Sequence, residues 1–365
     1  MKNIKYITLL LLMMFAVSIS LLAKQQQEFI KTINKNYKVN QKTILQIKNK
    51  YGNVNIKNWQ KNEVKIVVTI KVTAKKQEKA DKIFKRINIE FNKDTNLISA
   101  VTNIDSDNGF IKVVYININD KTTSYTINYD VYVPVYLKLD LTNKFGNVFI
   151  NELHGKCDIY VKYGSLKANN LLFPDYKPYS KIKILYGDVK IDKISWCNIV
   201  SKYSELNITN SKALFIYGRY SEYVLENNIA VICDSKYDDY KINKTENFVL
   251  TGAYNDVKIN TLTKQFVIDS KYGDFKIKHI VKDFTKIRIQ SSYSNLYIGL
   301  SSESDFQLKI QGKYIDIDMP HDILKISEIC DEKININKKY NNENTKNKLF
   351  INSDYSDIKI KFTDN

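Results

Sequence analysis

Arginine is almost missing from this chain. Arg86, Arg219 and Arg288 are its only three, although lysine and arginine together number 56 of 365 residues. Arginine reads phosphates and base edges through a planar fork, whereas lysine is a point charge. The lysines are also spread evenly, so a nucleic-acid partner is not expected. The formal charge of +17 reads as solubility, or as attraction to anionic glycans and lipid head groups. Glycine (11) and proline (4) are scarce, which excludes linker-rich, collagen-like and low-complexity chains. The four cysteines, Cys157, Cys197, Cys233 and Cys330, contain no CxxC pair, so neither a zinc nor a redox motif is indicated. There are only three histidines, His154, His279 and His321, and they lie far apart. No glycine-rich phosphate loop, G-x-S-x-G or H-E-x-x-H occurs. Catalytic, cofactor-binding and metal-binding residues are accordingly expected to be none, and no cofactor is implied.

Only one long apolar run is present, Ile7 to Leu22, preceded by Lys2 and Lys5. A basic n-region followed by an apolar h-region is the pattern of a secretory signal peptide, assigned here to residues 1–23. Its removal takes Lys2 and Lys5 and leaves +15 of the +17. No second stretch approaches the roughly 20 apolar residues that span a bilayer, so no transmembrane span is expected after cleavage. An exported chain is therefore expected, periplasmic, on the outer surface or secreted.

What the chain does have is a repeat. Its anchor is an aromatic residue: Tyr51, Phe145, Tyr163, Tyr186, Tyr203, Tyr220, Tyr237, Tyr254, Tyr272, Tyr293, Tyr314 and Tyr355. From Tyr186 to Tyr254 the spacing is 17 each time, then 18, 21 and 21. Four residues before the aromatic stands an apolar side chain, as in Ile199, Ile216, Cys233, Leu250, Ile268, Ile289 and Ile310. Six before is usually apolar too (Leu214, Val231, Phe248, Phe266), and so are three and five after (Leu206 and Ile208, Val257 and Ile259). This alternation of period two marks half-buried strands. Gly, Ser or Asp just after the aromatic suits a tight bend. Each unit is then strand, corner, strand and connector. It cannot bury its own apolar face, but stacked neighbours can. The expected fold is all-β: a right-handed parallel β-solenoid of 17–21-residue coils over residues 141–365, right-handed because such crossovers nearly always are.

Residues 24–140 break the repeat. Glu63–Thr73 alternates like a strand, Lys75–Arg86 carries Ala80, Ile83 and Phe84 at helical spacing, and strand patterning returns at Ile87–Ile104 and Ile111–Tyr136. A strand-rich N-terminal cap carrying the first coil and one short helix is expected there. Pro174 and Pro178 in the wide step from Tyr163 to Tyr186 predict a protruding loop. In the stack, the aromatics are expected to line an inner corner, with small residues two before them (Ser201, Gly218, Ser235, Gly252) leaving room for the rings. Cys157, Cys197 and Cys233 fall on inward positions and read as core thiols. Two after the aromatic, Asp188, Glu205, Glu222, Asp239, Asp256 and Asp274 form a like-charge column. Neighbouring Lys202, Arg219, Lys236 and Lys271, just before the aromatic, and Lys190, Lys241, Lys258 and Lys276, two after the acid, are expected to neutralise it, rather than calcium.

Three segments carry a family resemblance: NKYGNVNIKNW from Asn49, YDVYVPVYLKLDLTNKFGNVFI from Tyr129 and SKYGDFKI from Ser270. They resemble the domain named "putative adhesin" in bacterial envelope proteins, notably of the Bacteroidetes type. The resemblance implies a β-solenoid over most of the chain and offers no catalytic residues. The function expected is a non-catalytic, adhesin-like module, monomeric, that binds glycans, anionic polymers or envelope proteins. Two alternatives stand beside it: a structural or regulatory periplasmic scaffold, and a polysaccharide-active parallel β-helix enzyme. The enzyme would need a cleft over the coils near Tyr163–Tyr186.

Overall fold

A computed structural model describes residues 26–105, 123–177, 179–323 and 333–363. The expected leader and Cys330 lie outside them. The described residues form 23 strands and one α-helix in a single extended sheet system that does not close on itself. The alternation read from the sequence sets the strands. Asp188–Lys202, Glu205–Arg219, Glu222–Lys236 and Asp239–Ala253 are each 15 residues long and begin two residues after one anchor aromatic. Each pairs in parallel with its successor, so that Ile199, Ile216, Cys233 and Leu250 fall in one register column. The column continues through Ile268 and Ile289, and all six are buried. Full burial of one such aliphatic side chain contributes about 1.5–3 kcal/mol, and here it is obtained only by stacking.

Upstream the long strands divide in two. Lys138–Lys144, Cys157–Lys162 and Ser180–Leu185 make one parallel ladder, and Val148–Leu153 with Leu166–Leu171 makes another. Both run onto Asp188–Lys202. The Tyr163–Tyr186 step leaves residues 172–177 outside any strand, with Tyr176 well exposed.

At the amino-proximal end the pairing turns antiparallel. Gln27–Lys38 pairs with Glu63–Ala74, which pairs in turn with Ser124–Val133, and Ile87–Lys93 pairs with Leu97–Ile104. The helix, Gln77–Arg86, has Glu78 in its first turn and Lys85 and Arg86 in its last, which suits its dipole. It buries Ala80 and Ile83.

The far end departs from the order of the repeats. Lys348–Asp354 lies between Lys286–Leu300 and Phe306–Lys313, in parallel with both. Ser356–Phe362 likewise lies between Lys286–Leu300 and Ile315–Asp318. A later segment of sequence is thus inserted between two earlier ones, and the rings follow suit: Tyr293 stacks on Tyr355, and Tyr355 on Tyr314. Lys333–Tyr340 covers the outer edge of Phe306–Lys313 in antiparallel fashion.

One expectation is overturned. The anchor aromatics are not an inner column. All twelve sit at positive φ, between 51° and 65°, and ten of them, from Tyr163 onward, are 41–51% exposed. The left-handed backbone at this corner rotates the side chain outward while the ladder runs on unbroken: Tyr203 N–H donates to Arg219 O at 3.1 Å and Tyr220 N–H to Lys236 O at 3.2 Å. The residue after the aromatic turns inward instead. At Gly164 and Gly187 a Cβ would meet the preceding glycine carbonyl at 2.1 and 1.9 Å. The small residues two before the aromatic make room for inward groups, not for the corner rings: a Cβ on Gly218 would lie 2.3 Å from the Tyr223 hydroxyl and 2.1 Å from Asp238 Oδ2.

An exposed ring at a left-handed residue makes a specific stability prediction. Tyr237→Ala removes two stacking contacts, to Tyr220 and Tyr254, and opens no cavity. Unfolding should lose about 1–2 kcal/mol, not the 3–5 of a core aromatic. Tyr237→Gly should be more stable than Tyr237→Ala by roughly 0.5–1 kcal/mol, because only glycine adopts φ of 59° without a Cβ penalty. Parallel urea titrations of the two variants measure the difference; an alanine variant equal to or better than glycine would contradict the corner geometry.

Candidate interaction surface

The outward corner is the most regular feature of the surface. Successive rings stack at centroid distances of 4.8–5.2 Å, and in the central stretch their planes lie within 10° of parallel. Ring faces are therefore occupied by neighbouring rings. Solvent meets the ring edges and a line of phenol hydroxyls, which can exchange hydrogen bonds but cannot offer flat platforms along the ridge. Strand alternation puts the residue before the aromatic outward on one side of the ridge and the residue two after it outward on the other. The first side carries Lys50, Lys162, Lys202, Lys236 and Lys271, and Lys50 and Lys162 sit over their rings at 4.6 and 4.7 Å. The second carries Glu205, Glu222, Asp239 and Asp256 in consecutive register.

The acidic row is only partly neutralised. Lys241 bonds Glu222, but the lysine column it belongs to is interrupted by Asn207 and Val224. Burial, then the neighbouring Asp256 and Glu222 carboxylates, push the Asp239 carboxyl above its usual range. Arg219 turns away to Asp234, at 2.9 Å. Among the described residues no three His, Cys, Asp or Glu side chains converge to hold an ion.

The protruding loop does wall a groove, of about 710 Å³. Tyr176 and Tyr179 stand on one side, and Lys181, Asp158, Asp140 and Lys156 line it. Asp140 and Asp158 are register neighbours, and Gln46 Nε2 donates to Asp140 Oδ2 at 2.6 Å. No histidine reaches the groove: His154 pairs with Glu152, half-buried His279 meets Thr363 Oγ1 at 3.0 Å, and His321 is exposed.

Inside the corner runs a polar column that sequence reading took only as bend residues. Ser204, Ser221, Asp238, Asn255, Ser294 and Ser356 are all buried. Tyr223 and Tyr240 stack beneath it at 4.5 Å, with their hydroxyls bonded to Ser201 and Ser235. The signal was the recurrence of inward Tyr, Ser and Gly at fixed offsets from the anchor. Cys157, Cys197 and Cys233 are buried free thiols, and burial pushes each well above the ordinary thiol range.

No protein-family profile matches the chain, and no curated protein does. Among solved structures it is similar to a putative cell adhesion protein from Clostridium sporogenes, at 12% identity over 93% of this chain and 100% of that one, with a TM-score of 0.20. It is also similar to a putative adhesin from Bacteroides fragilis, at 12% identity over 72% and 94% of the two chains, with a TM-score of 0.27. A putative lipid binding protein from Parabacteroides distasonis matches at 9% identity over the same shares, with a TM-score of 0.28. No helix among the described residues is long and apolar enough to cross a membrane.

Asp238 stands out in the inner column. Its Oδ1 accepts the Ser221 N–H at 2.8 Å, while its buried Oδ2 has no partner. Burial raises its carboxyl pKa to about 6, against the opposing Ser221 N–H. Between about pH 4 and pH 6 the folded chain therefore holds a proton that the unfolded chain has released, and stability falls as pH rises through that window. The next rung holds Asn255 at this place, and its Nδ2 donates to Ser235 O at 3.0 Å. In Asp238→Asn the equivalent acceptor is the Gly218 carbonyl. The variant should gain about 1–3 kcal/mol at pH 7 and converge with the parent near pH 4. Denaturant titrations across that range test this; a variant weaker than the parent at pH 7 would refute it.

Proposed function

We propose that this chain is an exported, non-catalytic envelope protein, its stack wound as a right-handed parallel β-solenoid behind a cap at residues 24–140, which binds glycans, anionic polymers or envelope proteins through its outer surface. The winding is supported by the 17-residue parallel register, and export by the leader pattern at residues 1–23. The observation that carries the binding role is the ridge itself. Twelve bulky aromatics are held at positive φ, a backbone region that costs a residue with a Cβ about 1–2 kcal/mol, and most of them face solvent. A chain that needed only a corner would place glycine there. Phenol hydroxyls beside a lysine row suit sugar hydroxyls and anionic groups by hydrogen bonding and charge, not by ring stacking.

The enzyme reading is favoured by one observation, the loop-walled groove with Asp140 and Asp158 stacked beside lysines. Paired carboxylates there would work on a polysaccharide as acid and base only if one of them held a proton, with Lys156 and Lys181 as further proton donors of the groove.

A glycan and polyanion array run at low and at physiological salt tests the binding role. Saturable binding that survives physiological salt, and falls about tenfold or more when Tyr203, Tyr237 and Tyr272 are replaced by serine, is expected. Binding that vanishes with salt, or is indifferent to the tyrosines, would leave the scaffold reading. Turnover of an array glycan abolished by Asp158→Asn would favour the enzyme.

A further inference from the structure

The flanks of the ridge that carries the proposed binding role differ in charge, and this bears on a second occupant that would compete with a ligand for the same face. On the side before the aromatic stand Lys202, Lys236, Lys271 and Lys313, with Leu185, Ala253, Ser292 and Asp354 at the same place on other rungs; on the side after it, at the rungs of those four lysines, stand Glu205, Asp239, Asp274 and Asp316. The ridge is long, with eleven steps of close to 5 Å from Tyr51 to Tyr314, on the order of 55 Å in all. A strip about 15 Å wide along it covers roughly 800 Å², the area each partner contributes to a standard specific interface.

We propose that this ridge is the contact surface of a parallel homodimer, two copies meeting ridge to ridge about a two-fold axis that runs along the stack. Two facing arrangements exist for a straight ridge. A two-fold perpendicular to the stack sets the copies antiparallel and brings lysine row against lysine row and acid row against acid row. A two-fold along the stack exchanges the flanks, so at the rungs of Tyr203, Tyr237, Tyr272 and Tyr314 the lysine of each copy faces the carboxylate of the other, on both sides of the ridge at once. Only the second is charge-complementary, and it is an isologous, closed contact. It is also commensurate, because both copies repeat at the same 4.8–5.2 Å and every rung can meet its own counterpart.

The local charge balance points the same way. The acidic row is crowded by its own kind, with Asp239 pressed by Asp256 and Glu222, and the lysine column within the chain is incomplete. A second copy supplies the missing cations. The rings are already fixed by stacking on both faces, so little side-chain freedom remains to be lost on contact. At the three anchors nearest the cap the acids give way to Asn53, Asn147 and Ser165, which face the partner's lysines without like-charge conflict; at the Tyr355 rung Asp354 and Asp357 make the one like-charge pair across the contact.

Sedimentation equilibrium of the purified chain should show a dimer at low salt whose dissociation constant weakens about tenfold or more in high salt. Reversing one flank (Lys202→Glu, Lys236→Glu, Lys271→Glu) or the other (Glu205→Lys, Asp239→Lys, Asp274→Lys) should give a folded monomer, with circular dichroism unchanged. An equimolar mixture of the two reversed chains should restore a dimer. Orientation is read by cysteine cross-linking in a Cys330→Ser background. In the parallel arrangement Tyr163→Cys links to itself and Tyr293→Cys to itself; in the antiparallel one only the mixture links. A chain that stays monomeric at low salt, a dimer untouched by the flank reversals, or links confined to the mixture would each overturn the proposal.

Discussion

Parallel in-register stacking sets like upon like. Every side chain in the long central strands has the same position of the next unit directly above and below it, at the strand spacing. This single constraint sorts the whole composition. Apolar residues gain from meeting their own kind, so Ile, Leu, Val and Phe fill the inward columns. Aromatic rings gain by stacking, and amides gain by bonding along the column, as Asn169 Nδ2 does to Asn151 Oδ1 at 3.0 Å and Asn151 Nδ2 to Asn58 Oδ1 at 3.1 Å. Carboxylates gain nothing from their own kind, and among the described residues Asp238 is the one that is buried.

The two tiers of the corner follow from that rule. The outward tier is aromatic because rings tolerate repetition at about 5 Å better than any charged group does. The inward tier is small or amide-bearing because the backbone of the preceding rung is within reach. Asn255 satisfies that place with an acceptor and a donor at once, whereas a carboxylate has only acceptors to offer. Asp238 is thus a local departure from an otherwise self-consistent column, and the raised pKa is its electrostatic signature.

Much of this was legible in the sequence, and the part that was not has a definite cause. Period-two alternation around the anchors located the buried columns residue by residue, from Leu214 and Ile216 to Phe275 and Ile277, because burial in a strand depends on parity alone. The helix at Gln77–Arg86 was readable from Ala80 and Ile83 for the corresponding reason. The direction of the anchor ring was not readable. Parity counted along an unbroken strand from Ile199 and Ser201 puts Tyr203 on the inside, but a left-handed residue resets the count, and tyrosine gives no hint of positive φ as glycine would. The order of the last units was hidden as well, since pairing partners far apart in sequence leave no local pattern. The loop-walled groove was half visible: two prolines and a wide step located the loop, while the juxtaposition of Asp140 and Asp158 needed the register.

The insertion of Lys348–Phe362 between Lys286–Leu300 and the strands of residues 306–318 has a mechanical consequence. A terminal rung peels from a stack one hydrogen bond at a time, like a zip. A rung clasped on both sides must slide out against two ladders loaded together, and shear shares the load among many bonds. Tension applied through Phe362 therefore meets a clasp rather than a free edge, and the stack is closed against fraying at the place where a pulled chain would otherwise begin to unravel.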